Sequence, residues 1–551
     1  MRRPWQIEDG SAFEQTNADQ GWHVETLALL TSLFFVVFCN LSFWQSIMTP
    51  DRLGRTSGGL FIAATGLALI AVHFVLLALL FNRWTIRWLA PVLLCITASA
   101  AYFMGRYHVY IDPSMLRNVL ATDVGEARDL MSWSLLPYLL LLGILPGFLL
   151  SRLKLRRLPL HRAFLRRVLA IVLALLLGAG AVFAVFQEMS STMRNDKGLR
   201  YLATPANLLY SLPRAMMSAG KSAVSERKPI GEDAVLGAQV AGRKKPVVVL
   251  MVLGETARAA NWGLSGYARQ TTPELAAAGV INFASVSSCG TNTETSLPCI
   301  FSQVGRRHYD EDRIRGEQGL LDVARRAGYR VVWVDNQSGC KGVCDGVEST
   351  RPEATGQCKG GECMDEMLLA SLKQTVESTP GNLLVVLHQM GNHGPAYFKR
   401  YPPAFAAYEP ACKDADLAHC DQQAIINAYD NAIRYTDHVL ASGIAYLKGL
   451  QTHDPAMLYV SDHGESLGEK GLFLHGIPYA IAPEVQTQVP MVMWFSPAWR
   501  EGFAVDQACV ARRAQAPATH DHLFHTLLGM LDISTAVYER EMDLLAGCRA
   551  R

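Results

Sequence analysis

A short stretch in the second half of the chain gathers hydroxyl groups between two cysteines. The stretch SSCGTNTETSLPC, residues 287–299, places four hydroxyl side chains between Cys289 and Cys299: Thr291, Thr293, Thr295 and Ser296. A hydroxyl becomes a nucleophile near neutral pH when a base or a bound metal ion lowers its pKa. Residues 294–302 can form a helix, whose first backbone N–H groups would attract a phosphate. The stretch therefore predicts a nucleophile beside an anion site, held rigid by a disulfide.

Four apolar runs of the same half end in carboxylates, amides or imidazoles. The runs are PVVVLMVLGETAR, YRVVWVDNQSGC, NLLVVLHQMGNHGP and AMLYVSDHGES, and they end at Glu255, at Asp335 and Asn336, at His388 with His393 beyond it, and at Asp462 and His463. Continuous Val/Leu runs are typical of parallel strands covered on both faces. Ligands of open parallel sheets bind outside the carboxyl ends of the strands. One such ending is usually a helix cap or a structural histidine, but four of them predict one shared site.

Part of this predicted site suits a divalent metal ion. Glu255, Asp462 and His463 combine carboxylate oxygens with an imidazole, a set that favours zinc, with manganese as the alternative. One hydroxyl from residues 291–296 would complete the ligands. The alternation of apolar runs with helical patterns predicts that a parallel α/β sheet positions them.

The chain that must carry this site has a membrane part and a water-soluble part. Hydrophobic residues make up 50% of its 551 residues, yet nearly all long apolar runs lie before Gln187. Five runs approach the ~20 residues that cross a bilayer; they are Leu27–Ile47, Leu60–Phe81, the short Leu89–Phe103, Trp133–Leu150 and Val168–Phe186. We predict a membrane domain over 1–187, a bridging helix and linker over 188–240, and a catalytic domain over 241–551. The net charge of +2 gives no general attraction for nucleic acid.

Basic residues and cysteines both indicate where the soluble part lies. The connection Arg152–Arg167 holds seven Lys or Arg and no acid, so the positive-inside rule places it in the cytoplasm and everything after Gln187 outside. Four spans with the soluble part inside are the alternative. Ten cysteines lie in the soluble part in close couples, as expected of disulfides in an oxidising compartment. Zinc knuckles in CKGVC and CKGGEC are the alternative, although neither has the usual two-residue spacing.

The sequence blocks around these residues resemble a known family. GETAR, SSCGTNTETSLPC, DNQSGCKGVCD, HQMGNHGPAYFKRYP and SDHGESLGEKGLFLHG are similar to the signature blocks of bacterial phosphoethanolamine transferases that modify lipid A, a group that includes transferable colistin-resistance enzymes. The resemblance extends over the whole chain. It implies five transmembrane helices followed by a periplasmic, zinc-dependent α/β domain of the alkaline phosphatase/sulfatase-like fold.

The resemblance also implies roles for individual residues. Thr293 would be the nucleophile, and zinc would bind to Glu255, Thr293, Asp462 and His463. Substrate or a second zinc would be held by His393, His475, Lys341, Ser338, Tyr107, Asn118, Thr122 and Glu126. The implied disulfides are Cys289–Cys299, Cys340–Cys344, Cys358–Cys363 and Cys412–Cys420, and the remaining Cys509 and Cys548 could pair with each other.

The residues alone leave simpler explanations open for some of these positions. Lys341 is also explained as a solvated loop charge, and His475 as a core histidine. The spacing of 118, 122 and 126 gives one face of a helix, which is equally expected of a helix lying on the membrane surface.

The expected reaction is a two-step transfer in the bacterial inner membrane. Thr293 would attack phosphatidylethanolamine, diacylglycerol would leave, and a lipid A phosphate would take the phosphoethanolamine. We expect a monomer whose product lowers outer-membrane negative charge and gives polymyxin resistance. The alternatives are a core heptose or periplasmic glucan acceptor, a phosphoglycerol transferase related to lipoteichoic acid synthase, a sulfatase and a non-catalytic receptor. The chain lacks the C-x-P-S-R nucleophile motif of sulfatases, and a receptor gives no reason for the site residues to converge.

Overall fold

The chain divides into two compact units. A computed structural model describes residues 21–54, 56–122, 127–128, 130–195, 198–224, 227–352 and 363–550. The first unit comprises Met1–Asp112 and Trp133–Pro213, and the second comprises Pro113–Ser132 and Arg214–Arg551. Each unit is assembled from two separate segments of the chain, so its limits differ from the predicted domain boundaries. The domains 1–187, 188–240 and 241–551 remain a proposal.

The first unit consists of apolar helices. Four helices in the described part of the chain are long and apolar enough to cross a membrane: Gly58–Leu80, Ile86–Tyr107, Leu135–Arg152 and Leu160–Ala184. A bent pair, Val24–Cys39 and Leu41–Ile47, meets at 65°. The predicted number of five is reached when this pair counts as one span.

Two predicted spans had the wrong bounds. The third has 22 residues rather than the short run 89–103, because Arg87 and Arg106 bound the apolar run but favour helix. The fifth helix begins at Leu160, before its predicted start at Val168. Its first turns carry arginines, which interrupt hydropathy but favour helix.

A seven-stranded sheet forms the centre of the second unit. Its strands are β1 (Val247–Gly254), β2 (Ile281–Phe283), β3 (Arg330–Asp335), β4 (Glu348–Thr350), β5 (Leu383–His388), β6 (Asp454–Ser461) and β7 (Met491–Phe495). Their order across the sheet is β2-β7-β6-β1-β5-β3-β4. Strands β6, β1, β5, β3 and β4 run parallel, while β7 and β2 pair antiparallel at one edge.

Helices cover both faces of this sheet. Leu250 and Val252 of β1 face helices Met367–Glu377 and Gln422–Lys448. The alternate residues Val249 and Met251 belong to the core formed with helices Leu320–Arg326 and Asp521–Met530. All eight residues of β1 are buried, as the uninterrupted Val/Leu run predicts.

The register of the parallel strands brings their carboxyl ends to one level. Leu253 of β1 pairs with His388 of β5, and Gly254 pairs with Ser461 of β6. Glu255 and Asp462, which follow these last two residues, are thereby placed side by side at the carboxyl edge.

Disulfides tie the loops of the second unit. The structure pairs Cys289 with Cys299, Cys340 with Cys344, and Cys412 with Cys420, the pairs that the resemblance implies. Cys509 pairs with Cys548, which the sequence left open. Cys363 is also disulfide-bonded, whereas Cys358 lies outside the described residues. The bond between Cys340 and Cys344 removes the zinc-knuckle alternative for CKGVC.

Candidate active site

Of the four hydroxyls between Cys289 and Cys299, Thr293 reaches the Glu255 carboxylate. Thr293 begins the helix Thr293–Ile300, here called the Thr293 helix, and Asn292 caps this helix by accepting a hydrogen bond from the Thr295 backbone N–H. Thr293 Oγ1 lies 3.0 Å from Glu255 Oε2 and 3.4 Å from His463 Nε2. Thr291, in contrast, donates its hydroxyl to the carbonyl of Ile477. The fold thus assigns a structural bond to Thr291 and brings Thr293 to the sheet edge.

Glu255, Asp462 and His463 form a fully buried cluster beside Thr293. Ligand atoms of the three side chains lie within 4.8 Å of one another. Asp462 Oδ1 accepts the backbone N–H groups of Thr256 and His463. Its Oδ2 atom accepts no hydrogen bond from the described residues and lies 3.3 Å from His463 Nε2. His463 Nδ1 donates to the Gly464 carbonyl oxygen at 3.0 Å, which leaves Nε2 facing the cluster.

The charges of this cluster depend on one another. Burial raises the pKa of Asp462, and the Glu255 carboxylate raises it further, to about 6. Burial alone would lower the pKa of His463, but the Asp462 and Glu255 carboxylates outweigh it and raise it to about 9. Burial raises the pKa of Glu255, yet the hydrogen bond and charge of His463 bring it well below its usual range. Two buried carboxylates thus stabilise a positive charge between them.

These donors fit a divalent metal ion. A buried carboxylate oxygen without a hydrogen bond is costly unless a cation faces it, and Asp462 Oδ2 is such an oxygen in the described part of the chain. Two carboxylates, an imidazole nitrogen and a hydroxyl are ligands that zinc and manganese accept.

A chain of hydrogen bonds after β3 supports the cluster. Gln337 Nε2 donates to Glu255 Oε2 at 2.9 Å. Ser338 Oγ donates to Gln337 Oε1 at 2.7 Å, and Lys341 Nζ donates to Ser338 Oγ at 2.8 Å. Lys341 has no carboxylate oxygen within 4.0 Å among the described residues. Gln337 was not predicted from the sequence, although its position two residues after the end of β3 indicates that it lies at the carboxyl edge of the sheet.

Two further histidines line the same edge. The His475 ring lies 4.4 Å from the His463 ring and 5.8 Å from the His393 ring. Burial lowers the pKa of His393 to about 3, so this imidazole is neutral. A Cβ at Gly391 would come within 2.8 Å of the Glu255 carbonyl oxygen, so the loop that carries His393 needs glycine there.

Glu465 orients His475 and was also missed by sequence reasoning. Its Oε2 lies 2.9 Å from His475 Nδ1, and its Oε1 accepts the Tyr397 hydroxyl at 2.7 Å. Glu465 is fully buried. With Nδ1 engaged, His475 keeps Nε2 for a substrate or a metal. The position of Glu465 in SDHGES, three residues after Asp462, was the available signal.

Two of the four strand endings meet each other rather than the metal cluster. His388 Nδ1 lies 2.8 Å from Asp335 Oδ1, and both side chains are buried. Burial disfavours both charges, but their mutual attraction outweighs it, so the pKa of His388 is raised and that of Asp335 is lowered. The pair forms because Asp335 and His388 are register partners on β3 and β5.

The predicted residues of the loop between the membrane helices fall in different places. Tyr107 is the last residue of Ile86–Tyr107 in the first unit. Asn118 lies in the helix Pro113–Ala121 of the second unit, here called the Pro113 helix, and its carbonyl accepts the Thr122 hydroxyl at 2.8 Å. Glu126 lies outside the described residues.

A cavity of about 430 Å³ lies within the second unit, and the Pro113 helix contributes to its wall. Its wall includes Ser338 and Lys341 together with Arg117, Glu294 and Arg315. Pro298 and Ile314 contribute apolar surface. The cavity therefore combines charged and apolar walls one residue away from Thr293.

Comparisons with known proteins find relatives that match this chain along most of its length. The family described as sulfatase matches residues 247–533, and the family described as phosphoethanolamine transferase EptA/EptB matches residues 69–219. Phosphoethanolamine transferase EptA of Salmonella typhimurium is 36% identical over 528 residues, covering 95% of this chain and 96% of that protein. Phosphatidylethanolamine transferase Mcr-1 of Escherichia coli is 35% identical over 526 residues, covering 92% and 95%.

A solved structure resembles the chain along nearly its whole length. It is the integral membrane lipooligosaccharide phosphoethanolamine transferase A (EptA) from Neisseria meningitidis, with a TM-score of 0.91 and 34% identity over 96% of this chain and 99% of that one. Together with the sulfatase match, this likeness confirms the predicted fold of a helical membrane domain and a sulfatase-like α/β domain.

Proposed function

Because this chain belongs to the phosphoethanolamine transferase family, we propose that it transfers phosphoethanolamine from phosphatidylethanolamine to a phosphate of lipid A through Thr293. The chain is a multi-pass protein of the bacterial inner membrane with its α/β domain in the periplasm. The observation that carries the proposal is the position of Thr293 Oγ1, 3.0 Å from Glu255 and 3.4 Å from His463.

Zinc is the metal that we assign to the cluster, with Glu255, Asp462, His463 and Thr293 as its ligands. When bound, zinc lowers the pKa of a coordinated hydroxyl and offsets charge on phosphoryl oxygens. The buried Asp462 Oδ2 and the His463 Nε2 atom, which face each other at 3.3 Å, are the strongest reason for this assignment. His393 and His475 would hold the phosphoryl group or a second zinc.

In the first step the Thr293 hydroxyl attacks the phosphorus of the donor lipid. Its proton leaves along the hydrogen bond to Glu255, which Gln337 keeps in place. The first backbone N–H groups of the Thr293 helix have no partner within the helix and face developing negative charge. Lys341 and Ser338 add donors for the donor phosphate. The phosphorus–oxygen bond to diacylglycerol breaks as that oxygen takes up the proton passed on by Glu255, and phosphoethanolamine stays on Thr293.

In the second step a phosphate oxygen of lipid A attacks the phosphorus, the bond to the Thr293 oxygen breaks, and that oxygen regains its proton. Both substrates are lipids, which explains why the α/β domain is attached to membrane helices. The added ammonium group offsets negative charge on lipid A, so cationic peptides such as polymyxin bind less well. A core heptose or a periplasmic glucan remains the second candidate acceptor. We expect the enzyme to act as a monomer.

The covalent step can be tested directly. The purified full chain, given phosphatidylethanolamine alone, should accumulate phosphoethanolamine on Thr293, because a two-step transfer stores half of the reaction covalently. Thr293→Ala should lose both adduct and transfer, whereas the matched control Thr295→Ala, two residues away and half-buried, should keep both. Asp462→Ala should lose bound zinc as well. An adduct on Thr291, Thr295 or Ser296 would overturn the assignment.

A further inference from the structure

A closed ring of charges lies directly behind the first turn of the Thr293 helix. Arg117 Nε lies 3.4 Å from Glu294 Oε1, and Arg117 Nη2 also contacts Glu311 Oε1. Arg315 Nη2 lies 2.8 Å from Glu294 Oε1, and Arg315 Nε lies 3.2 Å from Glu311 Oε1. Each arginine therefore contacts both glutamates, which makes a ring of four members.

Three of the four members of this charge ring are shielded from water. The side chains of Arg117 and Glu294 are each 8% exposed and that of Arg315 is 15% exposed, whereas that of Glu311 is 37% exposed. Exposed ion pairs are screened and weakly oriented, but a shielded charge that loses its partner is costly. Loss of an arginine partner is therefore costly for the shielded Glu294 carboxylate.

The ring joins three elements of the second unit. Arg117 belongs to the Pro113 helix, Glu294 to the Thr293 helix, and the other two to the helix Glu311–Gly316. Glu294 directly follows Thr293. Arg315 also donates to the backbone carbonyl of Glu294 at 2.7 Å, so the ring holds backbone and side chain of the residue next to the proposed nucleophile.

The Pro113 helix touches the site edge at a second place. A Cβ at Gly476 would come within 2.6 Å of Met115 Cε, and Gly476 has φ +90°. Gly476 follows His475 and donates its N–H to the Thr291 carbonyl at 2.8 Å. The same short helix thus contacts the residue after Thr293 and the residue after His475.

We propose that Arg117 is a positioning residue for the transfer reaction. This inference rests on the function proposed for Thr293. Through Glu294, Arg117 holds the first turn of the Thr293 helix so that Oγ1 stays in reach of Glu255. Without Arg117, Glu294 and Glu311 share Arg315 alone, and their mutual repulsion displaces the turn. A displacement of ~1 Å at a reacting atom can lower a rate about 100-fold.

The decisive measurement separates the rate of attack from lipid binding. In the full-length protein, Arg117→Gln should slow steady-state transfer from phosphatidylethanolamine to lipid A by about 10- to 100-fold in kcat, with KM for phosphatidylethanolamine changed less than about 3-fold. Glu294→Gln should have a similar effect. The double variant should lose no more than the worse single variant, because both residues act through one ring. Arg117→Lys, which keeps one charge but not the two-sided contact, should be intermediate.

A matched control tests for a merely structural role. Arg243 pairs with Asp454, the first residue of β6, and these side chains are 10% and 11% exposed. Arg243→Gln removes an equally shielded arginine at the opposite end of the strand from Asp462. It should lower the melting temperature as much as Arg117→Gln does, without lowering kcat per folded molecule. If Arg117→Gln does not fold, Arg117→Lys is measured in its place.

The outcomes distinguish this inference from the proposed function. An equal loss of kcat in Arg243→Gln, or a raised KM with normal kcat in Arg117→Gln, would reject the positioning role. A wild-type chain that forms no adduct on Thr293 would reject the proposed function itself. A wild-type adduct together with an unimpaired Arg117→Gln rejects the positioning role alone.

Discussion

Among single residues, Glu255 contacts three other members of the site: Thr293, Gln337 and His463. One of its oxygens accepts both the Thr293 hydroxyl and the Gln337 amide, and the other lies 3.4 Å from His463 Nε2. It is fully buried at the end of the central strand β1. A carboxylate in this position can orient the nucleophile and bind a metal ion at once, which explains why burial of its charge is tolerated.

His520 links the disulfide loop to the same sheet edge and gives a pH-dependent prediction. Its Nδ1 accepts the Cys289 N–H at 3.0 Å, and its Nε2 donates to the Ser461 carbonyl at 3.1 Å. Burial lowers the pKa of His520 to about 3, below the usual ~6.5 of an unfolded chain. The unfolded state therefore binds more protons between these values, and folding stability must fall as pH falls below ~6.5.

We expect His520→Gln, which can accept and donate similarly but does not titrate, to weaken this pH dependence. In the wild-type protein His520 should cost up to about 1.5 kcal/mol of stability between pH 6.5 and pH 5. Melting temperatures of the full chain in detergent at several pH values would show a flatter profile for the variant. His308→Gln, at an exposed histidine, should leave the profile unchanged. Identical slopes for His520→Gln and the wild type would contradict the assignment.

The residues that sequence alone predicts are those that follow a strand directly. Glu255, Asp462 and His463 were identified because parallel strands align their carboxyl ends. Gln337 and Glu465 were not predicted because they orient Glu255 and His475 through side-chain hydrogen bonds, which no sequence pattern indicates. Choosing Thr293 among four hydroxyls required the resemblance, since hydrogen bonds such as that of Thr291 to Ile477 are set by tertiary contacts.

At the scale of elements, the loop that carries Thr293 is held by Asn292, the charge ring and the Cys289–Cys299 disulfide. Replacing both cysteines by alanine should lower the free energy of unfolding by about 2–3 kcal/mol on the chain-entropy estimate for such a short loop. Adduct formation should fall as well, because the hydroxyl loses its fixed position. Melting temperature and adduct yield, measured on the same samples, would check both effects.

The bond between Cys412 and Cys420 provides the comparison. It spans eight residues rather than ten, so the entropy estimate is nearly the same. Its loop bonds to the helix Gln422–Lys448 rather than to the Thr293 helix. Removing it should cost similar stability and leave the adduct per folded molecule unchanged. Equal loss of adduct in both variants would show that rigidity of the Thr293 loop is not what matters.

Elements were predictable where their pattern is local. The fully buried strands β1, β5 and β6 are predictable from their unbroken apolar runs. The pairing of Asp335 with His388 depends on strand register, which the separate runs do not contain. The Pro113 helix belongs to the second unit although the chain on either side of residues 113–132 belongs to the first, and this assignment depends on long-range contacts such as Arg117 to Glu294.

At the scale of the whole molecule, membrane helices and an α/β domain occur in one chain because both proposed substrates are lipids. The sequence separates the two parts clearly through hydropathy and cysteine distribution. The identity of the acceptor, however, depends on a surface that must recognise a large glycolipid. No short sequence motif identifies such a surface in the way that a strand end indicates a catalytic residue. The acceptor is therefore best determined in cells.

Lipid A from cells that produce the chain should carry added phosphoethanolamine on a phosphate. Mass spectrometry of lipid A, compared with cells that produce the stable but inactive Thr293→Ala variant, would measure this change. Because each added ammonium group offsets one negative charge, the same cells should bind less polymyxin and survive higher concentrations of it. Phosphoethanolamine found on core heptose or on periplasmic glucan, with unmodified lipid A, would replace lipid A as the acceptor while leaving the covalent step intact. Glycerol phosphate in place of phosphoethanolamine would contradict the donor as well.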